Sequence, residues 1–364
     1  MNAVKEKSRV LKADDKAGWD ECFYSLPEHL RDINFSYDYH RMYQANGDGD
    51  IRLFYFERDG EKYYYPFLLR PVLIAGAESP YKDIETAYGY TGPISTTSDD
   101  NFVREADEEF RRFCAEENVV TEFVRFNPLL SNDDLFHSSN SMSIVPLRDY
   151  VTVKLERSAE ELFLGYSSQN RNKIRKAEKT GVQIQFDPEA KDFDTFVSIY
   201  LENMQRIGAA KMYFFSDAFF AEMKRLTVQS GAFMTARLNG EILGATVFLK
   251  GETIGHYFLS SATEEGKKNA VSNLMLHHGI LWAKRKGLQQ IHLGGGVTAS
   301  ADDPLLVFKL NFSDVLVKFT IGKRIHNQRV YDALIQQWEE TYPQHAVQYK
   351  PILQRYRLTG EDMK

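Results

Sequence analysis

The order of predicted elements in the second half of the chain restricts the fold more than any other feature of the sequence. Three apolar stretches alternate with two tight turns, in the order 233–238, Asn239-Gly240, 242–249, Lys250-Gly251-Glu252 and 253–260. Turns this short force neighbouring strands to pair antiparallel, and Asn-Gly supplies the positive φ angles of a type I′ turn. A helix predicted at 271–286 ends at Gly287 and leads to a strand at 289–293, which can return parallel because the helix provides a crossover. The pattern predicts an α/β (α+β) fold with a mixed, mostly antiparallel sheet flanked by helices.

The first half of the chain repeats this order of elements more faintly. Its predicted helices and strands are 37–44, 51–57, 62–70, 100–116 and 120–126, with no repeat of individual residues. We therefore expect two similar modules with a junction near 135–155, namely an N-terminal domain at 1–145 and a C-terminal domain at 146–364. Apolar periodicity predicts further helices in the second domain at 159–179, 192–206, 217–229 and 328–341.

The composition is that of an ordinary globular protein, with 364 residues of which 43% are hydrophobic and 26% charged. A formal net charge of -6 provides no global basic field, which argues against DNA binding. The two cysteines, Cys22 and Cys114, fit neither a disulfide framework nor a zinc site. No stretch approaches the length of an apolar membrane span and no apolar signal segment is found, so we expect a cytoplasmic protein without an integral membrane segment.

Three consecutive glycines, Gly294, Gly295 and Gly296, follow the strand that ends the crossover. Glycines at the C-terminal end of a strand let a ligand approach the backbone closely. The run formally fits the dinucleotide fingerprint Gly-x-Gly-x-x-Ala, but Ser-Ala-Asp-Asp-Pro follows it in place of an apolar helix, and no Gly-Lys-Ser/Thr is present. We expect a tight turn whose backbone N–H groups face a substrate, and a plain bend is the alternative.

Several segments resemble known proteins. The order of three strands, a helix and a strand matches the GNAT acyltransferase core, and three segments resemble the Fem family: RNKIRKAEKTGV at 171–182, FKLNF at 308–312 and YKDIETAYGYTGP at 81–93. The resemblance covers nearly the whole chain and implies two tandem GNAT-like domains. It also implies an enzyme that joins an acyl or aminoacyl group to an amine of a cell-envelope precursor, either an amino-sugar glycan intermediate or a peptidoglycan peptide.

The donor implied by the resemblance is aminoacyl-tRNA or acyl-CoA, used as a co-substrate and not as a tightly bound cofactor. A typical GNAT enzyme holds the pyrophosphate of coenzyme A with Gln/Arg-x-x-Gly-x-Gly/Ala at a helix N-terminus. The corresponding junction here, Glu264 to Asn273, does not match and carries two carboxylates. The acidic net charge does not favour tRNA either, so both donors stay open. The expected partners are a small-molecule or lipid-linked envelope precursor and the acceptor end of an aminoacyl-tRNA.

Amide formation in a ternary complex needs a base for the amine and donors for the tetrahedral oxyanion. Lys309 is the first candidate catalytic residue, because an ammonium group near the developing oxyanion stabilises it. A surface lysine beside two core phenylalanines is the alternative. Asp303 precedes Pro304, and proline is common at the first position of a helix. Asp303 is therefore either the N-cap of that helix or a residue that orients Lys309 or the acceptor amine.

Two strand histidines are further candidates. His256 would border the opening where acyl donors lie in a GNAT core, and an imidazole can act as a base near neutral pH. Tyr257 has the opposite orientation and competes with His256 for contact with the substrate. His292 precedes the glycines, and alternation along the strand puts only one of His292 and Leu293 on the cleft face. A histidine packed within the sheet is the alternative in both cases.

The candidate binding residues come from both halves of the chain. Arg171 and Arg175 lie four residues apart on one helix face, a spacing that suits a diphosphate or a carboxylate. A solvated helix face is the alternative for them. Loop packing is the alternative for the residues that could line an acceptor cleft in the first domain: Tyr81, Tyr88, Tyr90 and Arg125.

No metal site is expected, because the nine histidines are scattered and the adjacent His277 and His278 would point about 100° apart on a helix. No Gly-x-Ser-x-Gly elbow is present, which argues against serine hydrolysis. Two alternative functions stay open. One is an acetyl-CoA-dependent GNAT N-acetyltransferase, and the other is a degenerate GNAT pair that binds a glycan without catalysis.

Overall fold

The chain forms two structural units, and its C-terminal segment belongs to the first. The structure, a computed structural model, describes residues 7–74, 76–139 and 141–363. Contacts between Cα atoms define unit 1, with residues 1–30, 34–147 and 319–364, and unit 2, with residues 31–33 and 148–318. None of the helices in the described ranges is long and apolar enough to cross a membrane.

Within the described residues, the first six strands of unit 1 pair antiparallel with one exception. Its first elements are β1 (Lys7–Lys12), α1 (Lys16–Tyr24), α2 (Tyr37–Asn46), β2 (Asp50–Arg58), β3 (Glu61–Ile74), β4 (Ala77–Glu85), β5 (Ile94–Ser95), α3 (Asp100–Glu116) and β6 (Val119–Arg125). The order across its sheet is β1-β2-β3-β4-β6, and β4 and β6 are parallel partners. Helix α3 provides the crossover that this parallel pair requires.

Unit 2 repeats this arrangement with more α-helices around it. Strand β7 (Ser143–Lys154) runs from unit 1 into unit 2. The elements that follow it are α4 (Ala159–Gly165), α5 (Ser168–Lys179), β8 (Gln183–Phe186), α6 (Phe193–Arg206), α7 (Asp217–Ser230), β9 (Gly231–Leu238), β10 (Glu241–Lys250), β11 (Ile254–Ala262), α8 (Glu264–Lys268), α9 (Val271–Arg285), β12 (Gln290–Gly295) and α10 (Pro304–Leu310). The strand order is β7-β12-β11-β10-β9-β8, and only β11 and β12 pair parallel among these.

The last two elements, β13 (Leu316–Ile325) and α11 (Gln328–Thr341), return the chain to unit 1. Residues 321–325 of β13 pair antiparallel with β6. Leu334 of α11 packs in a buried cluster with Val72 and Val120. The sequence placed this segment in the second domain because it follows that domain along the chain. The structure corrects this assignment, because the apolar face of α11 is buried against unit 1.

Each unit has a hydrophobic core of its own. In unit 1, the ring of Phe110 on α3 contacts the rings of Phe54, Tyr65 and Phe67, with centroids 5.0–5.6 Å apart. In unit 2, α9 lies so close to the sheet that a Cβ atom on Gly279 would be 1.9 Å from the ring of the strand residue Phe248. Burial of α9 fixes the crossover between β11 and β12.

The predicted mixed sheet and most predicted elements are confirmed. Asn239 and Gly240 have φ angles of 50° and 88°, as a type I′ turn requires. The single helix predicted at 159–179 is wrong, because the chain leaves the helical conformation at Tyr166 (ψ 155°) and Ser167 (ψ 148°). Ser167 then caps α5 by accepting a hydrogen bond from Asn170 N.

Candidate functional site

Strands β11 and β12 of unit 2 pair over a short stretch and then separate. Their parallel register begins at Ile254 and Gln290 and ends at His256 and His292. Beyond that point β11 continues to Ala262 along β10, whereas β12 continues along β7. The separation opens a split within the described part of the sheet. His256 and His292 lie at its closed end, so their backbones mark the point where two strands stop sharing hydrogen bonds.

Each glycine of the predicted site is required by a different feature of the local structure. Gly294 has a φ angle of 78°, which residues with a side chain rarely adopt. A Cβ atom on Gly295 would lie 2.2 Å from Cδ1 of Tyr150, and one on Gly296 would lie 2.5 Å from Cγ of Asp303. The backbone therefore passes too close to two side chains for any other residue to fit without displacement.

The glycine segment differs from the predicted turn in where it bends and in which groups it presents. Strand β12 includes Gly294 and Gly295, so the chain turns only from Gly296 onward. Gly295 O accepts a hydrogen bond from Lys309 Nζ at 2.6 Å, and Gly296 O accepts one from Arg148 Nη1 at 3.0 Å. Carbonyl groups of the segment thus hold two cationic side chains. Contact between its N–H groups and a substrate stays a prediction.

Lys309 on α10 is a buried lysine, which excludes the alternative of a surface residue. Its exposed fraction is 7%, and its ammonium group donates to Gly295 O at the end of β12. Burial lowers the pKa of Lys309 to about 7, although the negative charge of Asp303 opposes this change. A lysine with this pKa exchanges a proton near neutral pH, whereas a solvated lysine stays charged.

Asp303 is the N-cap of α10, as one of its two predicted roles required. Its Oδ1 accepts hydrogen bonds from Leu305 N and Leu306 N, and its Oδ2 accepts two from the N–H and hydroxyl groups of Thr298. Burial opposes ionisation of Asp303, but these four hydrogen bonds lower its pKa to about 2. One carboxylate therefore joins α10 to the loop that follows the glycines, and this fixes the helix that carries Lys309.

His256 and His292 form part of a row of buried polar side chains. His256 Nε2 lies 2.8 Å from Asp32 Oδ2, and the rings of the two histidines have centroids 5.8 Å apart. The ring of Tyr150 contacts His292 edge to face at 5.5 Å. Burial lowers the pKa of His292 well below its ordinary value, and the neighbouring His256 and Lys309 lower it further. His292 is therefore neutral at physiological pH.

The sequence identified both histidines but not their polar neighbours. Asp32 lies 224 residues before His256 in the chain, and no motif links the two positions. Tyr150 and Arg148 lie on β7, whose pairing with β12 the sequence did not predict. Tyr257 points away from this group, as alternation requires: its ring packs on Phe248 with centroids 5.5 Å apart. Burial raises the pKa of Tyr257 to about 12, so its hydroxyl stays protonated.

The segment before α9, which lacks the typical coenzyme A motif, folds as a short acidic helix, α8. Thr263 caps it by accepting a hydrogen bond from Gly266 N. Glu264 forms ion pairs with Arg206 at 3.0 Å and Lys267 at 2.9 Å, and both of its partners are partly exposed to solvent. A Cβ atom on Gly266 would lie 2.2 Å from Leu243 O, so α8 lies directly on β10. This segment presents carboxylates beside the N-terminus of α9.

The two candidate arginines of the basic helix α5 make different contacts. Nη1 of Arg171 donates to the carbonyl oxygens of Leu164 and Tyr166, which satisfies groups left open at the end of α4. Arg175 is exposed and lies over the ring of Phe163, 5.3 Å from its centroid. Substrate binding by both residues stays a prediction.

In unit 1, the candidate residues of the 81–93 loop lie in a different environment. Arg125 donates to Glu85 Oε1 at 2.6 Å, and its guanidinium group lies 5.7 Å from the ring centroid of Tyr88. Tyr88 is 42% exposed, whereas Tyr90 packs edge to face on Phe319. Tyr81 packs against the cluster around Val120. Of these side chains, Tyr88 is the most available to a ligand.

Three side chains in unit 1 are of residue types that can bind a metal ion, although no sequence motif marks them. Asp133, Asp134 and His137 bring one ligand atom each within 4.8 Å of the others. They lie on a short helical turn, and two of the three are exposed. Exposed acidic groups of this kind are common without an ion, so the group carries no assignment.

The comparisons with known proteins bear on the fold. Residues 166–302 match the family model described as an acetyltransferase (GNAT) domain. This range contains the split, the two strand histidines and the three glycines. No curated protein sequence matches the chain.

Three solved structures share the fold at low sequence identity. The structure of FemX has a TM-score of 0.69 and 13% identity, covering 90% of this chain and 99% of FemX. A conserved protein of unknown function from Bacteroides thetaiotaomicron has a TM-score of 0.55 and 11% identity, covering 89% of this chain and all of its own. The C-terminal domain of a putative lysylphosphatidylglycerol synthetase from Agrobacterium fabrum has a TM-score of 0.54 and 12% identity. The match covers 85% of this chain and 93% of that domain.

These likenesses and the repeated order of strands agree with the predicted architecture of two GNAT-like modules in tandem. They concern the fold, because each identity is far below the level at which substrates are shared. Residues 166–302 match the GNAT acetyltransferase domain model, and nine-tenths of the chain shares the fold of FemX, which confirms the predicted Fem-like GNAT architecture at the level of the fold.

Proposed function

We propose that this protein is an N-acyltransferase that joins an acyl or aminoacyl group to the amine of a cell-envelope precursor. The observation that carries the proposal is Lys309, a buried lysine whose ammonium group is held at Gly295 O, beside the split between β11 and β12. Burying a lysine is costly unless its charge is used or lost. A role in the reaction accounts for its position better than packing does.

The chemistry requires a carbonyl carbon, an attacking amine and a group that stabilises the oxyanion. The strand edge of β11 beyond His256 can hold an acyl donor, because its backbone groups on that side are not paired with β12. The amine attacks the carbonyl carbon, the new C–N bond forms, and the bond to the leaving oxygen or sulfur breaks. Lys309, fixed by Gly295 and by the Asp303 cap, supplies positive charge to the oxygen that becomes negative.

An aminoacyl ester is the donor that the acidic helix α8 favours. Glu264 and Glu265 lie where a GNAT enzyme would receive the diphosphate of coenzyme A, and like charges repel. The exposed cationic side chains of α5 are available to RNA phosphates instead: Lys173, Arg175, Lys176 and Lys179. We place the reaction in the cytoplasm, where both donors are made, with a muropeptide or an amino-sugar intermediate as the acceptor.

A thermal-shift experiment separates the two donors. A ligand that binds the folded state raises the melting temperature by mass action. We expect a shift with a non-hydrolysable aminoacyl-adenosine or charged tRNA and none with acetyl-CoA. The reverse result would assign the acetyl-CoA-dependent alternative. No shift with either donor, together with binding of a glycan, would favour the non-catalytic pair.

Replacement of Lys309 tests the catalytic role, and Lys284 offers a matched control. Lys284 also lies in unit 2 and also donates to a backbone carbonyl, that of Leu155 at 3.0 Å, but it lies on α9 away from the split. With the donor found by thermal shift and a panel of envelope amines, we expect Lys309→Ala to abolish most transfer. Lys284→Ala should retain it. Equal activity in both variants would contradict the proposed role.

A further inference from the structure

A short segment from the N-terminal part of the chain is built into unit 2 beside His256. Residues 31–33 belong to unit 2, although the residues on either side belong to unit 1. The side chain of Asp32 is fully buried and that of His256 is 5% exposed, and their Oδ2 and Nε2 atoms lie 2.8 Å apart. A carboxylate buried this deeply is rare unless a partner compensates for its lost hydration.

A glycine in the turn between β10 and β11 leaves the space in which this segment packs. A Cβ atom on Gly251 would lie 2.7 Å from Arg31 O, 2.8 Å from Asp32 Cα and 2.9 Å from Ile33 N. All three are backbone atoms, which cannot rotate away as a flexible side chain can. Glu252 N donates to Arg31 O at 3.2 Å. The turn therefore positions the backbone of Asp32, and through it the carboxylate.

We propose that Asp32 is a positioning residue for His256, and that it holds the proton on Nε2 so that Nδ1 is the nitrogen that accepts a proton from the acceptor amine. The inference rests on the proposed acyl transfer. It adds to it the base that the reaction requires and the residue that fixes this base. A carboxylate can only accept a hydrogen bond, so a neutral imidazole facing it carries its hydrogen on the facing nitrogen.

The place of His256 in the sheet suits such a base. It forms the last parallel pair with β12 before the split, so the amine that attacks a carbonyl in the split would come close to it. The polar or titratable groups around the two histidines include Asp32 from the N-terminal segment, Tyr150 from β7 and Lys309 from α10, and the two histidines also face each other. The Asp32 carboxylate lies at hydrogen-bond distance from His256 and can stabilise its imidazolium form.

The proton balance of the step is complete. The acceptor enters as an ammonium group and gives one proton to Nδ1 of His256, whose positive charge the Asp32 carboxylate compensates. The free amine attacks the carbonyl carbon of the ester or thioester donor, and its second proton goes to the leaving oxygen or sulfur. The imidazolium then releases its proton to solvent. Lys309 stabilises the oxyanion and takes no proton in this scheme.

Unit 1 contains a second buried pair of the same kind, which serves as a control. His326 Nε2 lies 2.9 Å from Glu122 Oε2, and both side chains are nearly inaccessible. Arg324 and Tyr65 also contact Glu122, so this carboxylate is part of a larger ion-pair network. Both pairs join an imidazole Nε2 to a buried carboxylate, but of the two the Asp32–His256 pair is the one that adjoins the split.

Proton NMR of the whole protein tests the contact without any substrate. An imidazole N–H bonded to a carboxylate gives a downfield signal that exchanges slowly with water, and an amide is a weaker acceptor. We expect two such signals, one lost in Asp32→Asn and the other in Glu122→Gln. Gly251→Ala should lose the same signal as Asp32→Asn, although it changes neither ionisable group. If Asp32→Asn and Gly251→Ala both leave the spectrum unchanged, Asp32 does not position His256.

The kinetic arm tests the catalytic consequence. Loss of a correctly oriented base lowers kcat by about 10²-fold or more, while substrate binding is retained. We expect this drop in Asp32→Asn and Gly251→Ala, with KM within about twofold of wild type, and unchanged kcat in Glu122→Gln. Unchanged kcat in folded Asp32→Asn would overturn the proposal even if the NMR signal is lost. Absence of acyl transfer by the wild-type protein would instead contradict the proposed function. The NMR experiment would still decide whether Asp32 positions His256.

Discussion

Lys309 combines burial, a backbone hydrogen bond and a pKa of about 7. If its ammonium form stabilises the oxyanion, the active fraction falls as pH rises through 7, because the lysine then loses its charge. We therefore expect kcat to decline on the alkaline side with a midpoint near 7. Arginine stays charged at any accessible pH. Lys309→Arg should move this decline to higher pH while it retains part of the rate.

The opposite pH profile would give Lys309 a different role. A rate that rises with pH through 7, and a Lys309→Arg variant without activity at any pH, would mean that the neutral amine acts as the base. The profile of kcat, measured at saturating substrate, separates the two roles directly.

Gly295 and Tyr150 define how closely β12 and β7 approach each other in unit 2. A Cβ atom on Gly295 would overlap the ring of Tyr150. We expect Gly295→Ala to lower the free energy of unfolding by about 1–3 kcal/mol, which is the usual cost of overpacking. In Gly295→Ala combined with Tyr150→Ala, the effects should be less than additive because the overlap is gone. Additive effects in chemical denaturation would show that the two residues are independent.

At the scale of residues, sequence reasoning predicts the candidates that have a local signal. Asp303 precedes Pro304 and is the cap, and the three glycines mark a close approach. The burial of Lys309 was not predictable, because the sequence does not show that Gly295 O lies within reach of its ammonium group. Asp32 had no signal, because its contact with His256 depends on a segment that lies far away in the chain and is positioned by Gly251.

Helix α10 and the loop before it depend on one carboxylate. Asp303→Ala removes the cap and the two bonds to Thr298, and we expect a loss of about 1–2 kcal/mol in the free energy of unfolding. The pKa of Asp303 is lowered on folding to about 2. Its stabilisation is therefore complete above the ordinary pKa of an aspartate and is lost as pH falls toward 2. Urea denaturation should show a smaller acid-dependent loss in Asp303→Ala, and an equal loss would contradict the role of its charge.

The break between α4 and α5 shows why periodicity alone overestimated a helix. Apolar positions continue across Tyr166, but its side chain is buried against Phe312 with ring centroids 5.1 Å apart. Asn311 O accepts hydrogen bonds from Ser167 N and from Asn170 Nδ2. These tertiary contacts stabilise an extended residue where local preference would continue the helix, and a single sequence contains no sign of them.

The two units share one strand order but differ in how far their parallel strands stay paired. In unit 1, the parallel pairing of β4 with β6 continues to the end of β4 at Glu85 and Phe123, and Thr86 N still donates to Phe123 O. In unit 2, the corresponding pair of β11 and β12 separates after His256 and His292. Within the described residues, the split therefore belongs to unit 2. The proposed chemistry is accordingly assigned to one unit and not to both.

The C-terminal helix should stabilise unit 1 and not the unit that precedes it in the chain. Leu334 is buried with Val72 and Val120, whereas Gln337 on the same helix is exposed. We expect Leu334→Ala to cost about 2–5 kcal/mol, the usual range for a cavity in a core. Hydrogen exchange should become faster in β3 and β6 but not in β9 to β11, and Gln337→Ala should change neither. Faster exchange in unit 2 alone would contradict the assignment of α11.

At the scale of the whole molecule, the sequence predicts a repeated order of strands and a crossover helix, and both are present. The assignment of 319–364 was not predictable, because the position of a segment in the chain does not determine which core buries its apolar face. The substrates are likewise not determined by the fold, since one fold supports many acceptors.

A comparison of the acyl-transfer rates of Lys309→Ala and Lys284→Ala, with the same donor and acceptor, tests whether Lys309 takes part in the reaction. Removing one oxyanion-stabilising group costs about 10²–10³ in kcat. We expect such a loss in Lys309→Ala, with the donor still bound in thermal shift, and wild-type turnover in Lys284→Ala. Wild-type turnover in Lys309→Ala would show that this buried lysine does not take part in acyl transfer.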